Sequence, residues 1–161
     1  LVSKNKLMVQ KINDDKTILR EISKGDLKNI LLSHSLWLNS KEVEGKPANL
    51  ERYNLRGVVL LGANLEKANL KDAYLYGAYF KNANLENANL SGGNLRGANL
   101  RWVNLKGANL SGATLIRADF HESNLKETNL IGANLQMAEG LTRQQIDQAK
   151  INETTKLPNF L

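Results

Sequence analysis

The chain has 161 residues, 42% of them hydrophobic, and no cysteine, which excludes disulfide frameworks, thiolate nucleophiles and sulfur-ligated metals. Its 22 basic side chains outnumber its 16 acidic ones, and the resulting formal charge of +6 is too mild by itself to indicate nucleic-acid binding. No stretch approaches the length of a membrane span, and the opening LVSKNKLMVQ lacks the apolar centre of a signal peptide, so we expect a cytoplasmic protein.

The first 45 residues are predicted to form a helical cap on the structure that follows. Residues 26–39 carry apolar side chains at helical spacing and begin with Asp26, a residue suited to N-capping. Gly25 is predicted to stop a preceding helix over residues 14–24. A weaker helix is expected over residues 4–12.

A five-residue repeat dominates the middle of the chain. From Leu50 to Leu135 every fifth residue is Leu or Phe, which makes 18 consecutive centres, 16 of them Leu. Ala stands two residues before the centre in 12 units, Asn stands one before in 13, and Gly stands two after in eight. A period of five fits neither a helix nor a flat strand, so each unit is predicted to be a short extended segment followed by a corner. The Ala and Leu side chains then point inward, Asn points outward, and Gly suits a corner with positive φ.

This tract, as in ANLEKANLKDA and NANLENANLSGGNLRGANL, resembles the pentapeptide-repeat family over residues 48–137. The resemblance implies an all-β solenoid: a right-handed quadrilateral β-helix with four repeats per coil, and therefore about four and a half coils from the 18 repeats. Tyr53 is too large for a small inward position, so we expect it to turn outward or to lie under a cap. Phe80 and Phe120 fall in one column with Leu100 between them, which spreads their extra volume over neighbouring layers.

The segment after the last repeat is predicted to cover the final coil, because a solenoid exposes open backbone at both ends. Thr142 and Gln145 form a capping box for a helix over residues 143–150, and Leu141 and Ile146 form its hydrophobic staple. The closing LPNFL is expected to run extended beside the final coil. The predicted division of the chain is an N-terminal helical cap over 1–45, a β-helix over 46–137 and a C-terminal cap over 138–161.

The outer faces can be interpreted as columns, because residues twenty apart stack if four repeats make one coil. Two faces show Asn at every level, from Asn49 to Asn129 and from Asn64 to Asn124, and such ladders are most simply structural. The other two faces adjoin and gather aromatic and basic residues of the kinds that binding hot spots favour. This candidate partner-binding face comprises Arg56, Tyr74, Tyr76, Tyr79, Lys81, Arg96, Arg101, Trp102 and Arg117. The alternative is that these are ordinary scattered surface aromatics, with the outward-pointing Val59 and Leu61 of the same faces covered by the N-terminal helices.

No catalytic motif or metal-ligand spacing is found in the sequence, and no cofactor is expected. His34, on an apolar helix face beside Trp37, is interpreted as a packed core residue. His121, beside Asp119 and Glu122, is interpreted as a solvated surface residue. We therefore predict a protein that is not an enzyme.

The leading hypothesis is a noncatalytic, monomeric scaffold that binds another protein along one side of a rigid rod. The resemblance implies a bacterial setting and one alternative, because some members of that family mimic B-DNA in the DNA site of a type II topoisomerase. Such mimicry needs an acidic rod, whereas residues 46–137 carry 11 basic and 7 acidic side chains. A second alternative is weak nucleic-acid binding through the basic and aromatic face.

Overall fold

The computed structural model describes residues 11–12 and 18–161 of the chain. A short antiparallel pair comes first, formed by β1 (Lys11–Ile12) and β2 (Ile18–Leu19), and helix α1 (Lys24–Asn39) follows. The repeat tract leads from there to helix α2 (Arg143–Asp147). Neither described helix combines the length and the apolar character that crossing a bilayer requires.

The repeat tract winds into a four-sided coil in which residues twenty apart are neighbours. Parallel bridges join Asn49 to Asn69 and Asn69 to Asn89, and bridges with the same offset follow all four sides. Backbone hydrogen bonds connect the levels: the N–H of Leu70 donates to the carbonyl of Asn89 at 2.7 Å, and the N–H of Asn89 donates to the carbonyl of Ala68 at 2.9 Å. The backbone therefore closes one turn of the coil every twenty residues, which is the stacking that the repeat predicts.

Each corner is a tight turn whose third residue has a positive φ. In the unit centred on Leu95, the N–H of Ala98 donates to the carbonyl of Leu95 at 3.0 Å, and Gly97 has a φ of 65°. Third residues have φ between 53° and 70° at all 18 corners, although only eight of them are Gly. Gly is therefore favoured at the corners, as predicted, but the fold does not require it there.

The interior is filled by the repeat centres and the small residues between them. Every Leu or Phe centre from 50 to 135 is at most 4% exposed, and Phe80, Leu100 and Phe120 are fully buried in one column. Thr128 occupies a small-residue position and is also buried, with its hydroxyl donating to the carbonyl of Leu105 at 2.7 Å. Ser123, in the preceding repeat, is buried as well, and its hydroxyl oxygen accepts from the side-chain amide of Gln145 at 3.3 Å. Both buried hydroxyls are thereby hydrogen-bonded, as buried polar groups generally are.

The chain before α1 is extended where it is described, so the helices predicted there are wrong in those residues. Strand β2 and residues 20–23 stand where a helix over 14–24 was predicted, and β1 stands at the end of the helix predicted over 4–12. The other residues of these two predicted helices, 4–10 and 14–17, lie outside the described residues.

The open backbone edge of the first coil explains this extended segment. Arg20 forms a parallel bridge with Tyr53; its N–H donates to the carbonyl of Arg52 and its carbonyl accepts from the N–H of Asn54, both at 2.8 Å. Only an extended segment can offer an edge this pairing. The Arg20 guanidinium also lies 4.2 Å from the centroid of the Tyr53 ring. Tyr53 is half-buried under this segment, as predicted for a residue too large to turn inward.

Helix α1 begins earlier than predicted. Its N-cap is Ser23, whose hydroxyl accepts from the N–H of Asp26 at 3.0 Å, so Asp26 belongs to the first turn. Gly25 also lies inside that turn and does not stop a helix. Leu27 and Ile30 pack against the hydrophobic interior, which places α1 beside the first coil.

The C-terminal flank follows its prediction in part. The capping box of Thr142 and Gln145 is present, and Leu141 and Ile146 are both buried, but α2 ends at Asp147 and not at residue 150. LPNFL does not provide the extended pairing with the last coil, because its described backbone includes a turn. That pairing is made earlier in the chain by Lys150 with Asn129 and by Lys156 with Asn134.

Candidate protein-binding face

All nine residues of the predicted binding face lie on the outside of two adjoining sides of the coil, those centred on Leu75 and Phe80. We call these two sides the aromatic face. Tyr74 and Arg101 are half-buried. The exposed residues are Arg56, Tyr76, Tyr79, Lys81, Arg96, Trp102 and Arg117.

Two tyrosines and an arginine form the tyrosine cluster. Tyr74 and Tyr76 flank the inward Leu75 on one extended segment, so both side chains point outward. Their rings are stacked, with centroids 6.3 Å apart and planes 16° apart. Arg56 lies one coil away, with its guanidinium carbon 5.4 Å from the centroid of the Tyr76 ring. Both contacts follow directly from the twenty-residue stacking and the alternation of the strand.

A tryptophan with two cations forms the tryptophan cluster. Trp102 occupies a corner with a φ of 55°, and its side chain is 44% exposed. The Lys81 ammonium lies 4.8 Å from the indole centroid, and the Arg101 guanidinium carbon lies 4.9 Å from it. Cation–π contacts of this kind hold a large aromatic ring in a defined position.

A carboxylate from the next coil anchors the tryptophan cluster. Asp119 accepts a charged hydrogen bond from Arg101 at 3.2 Å, and His121 Nδ1 lies 2.6 Å from its other oxygen. Partial burial would raise the pKa of Asp119, but the hydrogen bonds from His121 and Arg101 outweigh it and lower the pKa below the ordinary value. Asp119 is therefore ionised at neutral pH and holds Arg101 beside the indole.

The structure brings six of the nine predicted residues into these two clusters. Tyr79 lies between them in the sheet, bridged on one side to Val59 and on the other to Asn99, but it belongs to neither cluster. Arg96 and Arg117 are exposed at neighbouring levels and lie outside both clusters as well.

The asparagine side chains on the two asparagine faces make hydrogen bonds within the coil itself. The side-chain amides of Asn84, Asn104 and Asn124 each donate to the Asn one coil earlier at 3.0 to 3.1 Å. On the face from Asn49 to Asn129, a side-chain link of this kind joins only Asn69 to Asn49 among the described residues. On both faces the Asn oxygens accept from the backbone N–H two residues later, which holds the following corner.

His34 is buried, as predicted for a core residue. Its Nδ1 accepts from the backbone N–H of Ala48 at 3.1 Å, and its ring stacks on Trp37 with centroids 5.7 Å apart. Burial lowers the pKa of His34 below its ordinary value of 6.5, although the nearby Glu66 opposes this. Throughout the described part of the chain, no three His, Cys, Asp or Glu residues are placed to hold a metal ion.

A groove beside α1 is a feature that the sequence predictions missed. Val59 is 65% exposed and Leu61 is 57% exposed, so the described part of the N-terminal segment, α1 included, does not cover them as the alternative expected. The groove has a volume of about 700 Å³ and lies between α1 and the neighbouring repeats. In the sequence, apolar residues at outward positions of the repeat were the pattern that could have indicated this groove. We call this recess the α1 groove; its lining includes Ile22, Lys24, Leu27, Lys28, Leu31, Leu32, Arg56, Val58 and Val59.

Comparisons with solved structures find several similar proteins. A pentapeptide repeat protein, Rfr23 of the cyanobacterium Cyanothece 51142, is 30% identical over 72% of this chain and 68% of its own, with a TM-score of 0.48. A pentapeptide repeat protein from the thylakoid lumen of Arabidopsis thaliana is 30% identical over 66% of this chain and 81% of its own, with a TM-score of 0.43. QnrB1, a plasmid-mediated fluoroquinolone resistance protein, is 19% identical over 75% of this chain and 69% of its own, with a TM-score of 0.46. Comparison with curated protein sequences gives no significant match.

The sequence profile of pentapeptide repeats matches this chain in eight copies, over residues 48–82, 68–107 and 98–136. Proteins of that family fold as right-handed quadrilateral β-helices, which agrees with the predicted fold class. Because the matches together span more than half of the 161 residues, the chain belongs to the pentapeptide-repeat family.

Proposed function

We propose that this protein is a noncatalytic scaffold that binds another protein through its aromatic face. The two clusters of rings and cations, held on a hydrogen-bonded coil, carry this proposal. Tyr, Trp and Arg are the residue types that dominate binding hot spots. Pentapeptide-repeat proteins are also generally structural or interaction proteins without catalytic activity.

The contacts within the clusters favour binding because they restrict the side chains before a partner arrives. An interface loses free energy for every long side chain that it must immobilise. Arg101 is already held by Asp119, and Trp102 already lies against Arg101 and Lys81. These side chains therefore already occupy, before binding, the positions in which a partner would contact them.

The flanks complete the scaffold in this proposal by protecting its ends. We assign residues 1–45 and 138–161 to caps and residues 46–137 to a β-helix of about four and a half coils. Arg20 pairs with the first coil, and Lys150 and Lys156 pair with the last, which supports this division. That the protein is a cytoplasmic monomer stays a prediction.

Site-specific photocrosslinking tests the proposal. The photoreactive residue p-benzoylphenylalanine replaces Tyr76 in one variant and Lys126, on an asparagine face, in the matched control. We expect irradiation in the source cells to link Tyr76→p-benzoylphenylalanine to a protein that the Lys126 variant does not capture. Adding Trp102→Ala should reduce this crosslink at least tenfold, the effect of losing a hot-spot residue worth more than about 1.4 kcal/mol.

Two outcomes would contradict the proposal. Capture of the same proteins from both positions would show that the aromatic face is not selective. Crosslinks to nucleic acid, together with salt-sensitive binding of single-stranded DNA that Arg96→Ala weakens, would favour the nucleic-acid alternative. Thermal melts of each variant, followed by circular dichroism, confirm that the coil is intact.

A further inference from the structure

We propose that the α1 groove binds an amphipathic segment of a partner protein in which acidic side chains flank the apolar ones. This inference rests on the proposed function only in that both require a protein partner. The groove shares Arg56 with the tyrosine cluster, whereas Lys24, Lys28, Leu32 and Val59 belong to neither cluster of the aromatic face.

Apolar side chains that the fold itself does not bury form both walls of the groove. Leu32 on the α1 wall is 58% exposed and Val59 on the coil wall is 65% exposed, whereas the repeat centres are at most 4% exposed. The volume of about 700 Å³ is within the range of ligand-binding recesses in proteins. Exposed apolar side chains gathered in one recess typically mark an interaction site.

The charged side chains that line this apolar floor are all positive among the described residues. Lys24 and Lys28 come from α1 and Arg56 from the coil, and the lining residues that the structure describes include no Asp or Glu. Two carboxylates lie beside the lining. Glu21 accepts a hydrogen bond from the side-chain amide of Asn54 at 2.9 Å, and Asp26 accepts one from the hydroxyl of Ser23 at 2.7 Å. A basic rim over an apolar floor complements an occupant that has apolar side chains and carboxylates together.

The same charges disfavour the other occupants. Residues 1–10 of this chain carry Lys4 and Lys6 and no acid, so they would bring like charge to the rim. A second copy docking symmetrically would bring two basic rims, each with Lys24, Lys28 and Arg56, towards each other. An anionic membrane would match the charges, but a flat bilayer surface does not fill a recess between a helix and a coil wall. A partner segment with apolar side chains at i, i+3, i+4 and i+7 of a helix meets both requirements.

Binding of a designed peptide to the full chain tests this inference. The probe is a fluorescein-labelled 16-residue helix with Leu on one face and Glu on both flanks, and its twin carries Lys in place of Glu. We expect fluorescence anisotropy to show saturable binding of the Glu peptide, at least tenfold tighter than that of the Lys twin. Val59→Glu and Leu32→Glu should each weaken it at least tenfold. The double variant Lys24→Glu, Lys28→Glu should reverse the preference between the two peptides.

Controls separate this inference from the proposed function. Trp102→Ala should leave peptide binding unchanged while it reduces crosslinking from the aromatic face, so either proposal can fail while the other stands. Val59 and Leu32 are more than half exposed, so their variants should keep the melting temperature of the parent chain. Absence of binding, equal binding of the two peptides, or full binding by Val59→Glu would overturn the inference. Tighter binding to vesicles of anionic phospholipid than to the Glu peptide would overturn it as well.

Discussion

Single residues at the corners of the coil adopt a backbone conformation that most L-residues avoid. Ten of the 18 corner residues have a side chain and yet a positive φ, Trp102 and Arg117 among them. Seven of these ten residues donate their N–H to the next coil, as Trp102 does to the carbonyl of His121 at 2.9 Å. The stacking therefore holds each corner in place, even where the side chain makes that conformation less favourable.

Exchanging Gly and a larger residue within one corner column tests this account. Gly97 and Arg117 stack in that column with φ of 65° and 58°, and a Cβ on Gly97 would meet nothing within 4 Å. Substitutions in this column therefore change the free energy of unfolding through backbone conformation and not through crowding. We expect Gly97→Ala to lower the free energy of unfolding by about 1–2 kcal/mol and Arg117→Gly to raise it by a smaller amount. The midpoint urea concentrations of unfolding, compared at an unchanged slope, measure both changes in free energy. Identical midpoints for the parent and the two variants would contradict the account.

Among the elements, α1 depends most on a single buried titratable group. His34 accepts from the N–H of Ala48, and this hydrogen bond joins α1 to the start of the coil. The accepting nitrogen must lack a proton, so the ring is neutral in this arrangement. The charges near His34 affect its pKa less than burial does: burial lowers this pKa, and Glu66 raises it by a smaller amount. Lys67 lies 5.8 Å from the stacked Trp37 ring and is paired with Glu42.

Acidification should therefore loosen α1 from the coil. Because the pKa of His34 is lowered on folding, its contribution to stability is complete above about pH 6.5, its unfolded value, and is lost as the pH falls below it. We expect amide exchange in residues 24–39 to accelerate several-fold between pH 7 and pH 5, after correction for the intrinsic exchange rate. His34→Asn, which keeps an acceptor but cannot be protonated in this range, should remove most of the effect. The exposed His121→Asn serves as the control and should keep it.

The elements differ in how well the sequence predicted them. The inward Leu, the outward Asn and the corner Gly were predictable because each repeats at a fixed interval and every repeat has the same neighbours. The membership of Tyr74, Tyr76 and Trp102 in one face followed from the same spacing. The extended segment around Arg20 was not predictable, because the edge that pairs with it lies more than 30 residues later in the chain. The α1 groove likewise depends on where a helix lies against the coil, which no local pattern encodes.

For the whole molecule, the backbone edges at the two ends of the coil need a cover that the inner levels do not. Each inner level bonds to levels on both sides, but the last level has a neighbour only where the C-terminal segment provides one. The N–H of Glu127 donates to the carbonyl of Gln148, and that of Leu135 to the carbonyl of Lys156. Ile146 is 1% exposed and helps to hold this segment in place. An uncovered edge is a template for pairing with another chain.

Displacing the C-terminal segment should make the protein associate. We expect Ile146→Asp to release α2 from the last level, because a carboxylate at this buried position cannot be solvated. Dimers and larger species should then form as the protein is concentrated, and size-exclusion chromatography with light scattering detects them. Ile151→Asp is the matched control, since Ile151 is already 39% exposed. Equal elution of the two variants would argue that the segment does not protect this edge.

The twenty-residue turn also determines which changes in length leave the surface intact. Duplicating residues 88–107 would add one level, about 4.8 Å, and every downstream side chain would stay on the side it occupies now. Duplicating a single five-residue repeat between Lys81 and Arg101 would instead move every later residue to the adjoining side. Arg101 and Trp102 would then no longer lie beside Lys81. Lineages of this protein can therefore grow or shrink by whole turns without rearranging the outer faces of the coil, whereas smaller steps would rearrange them.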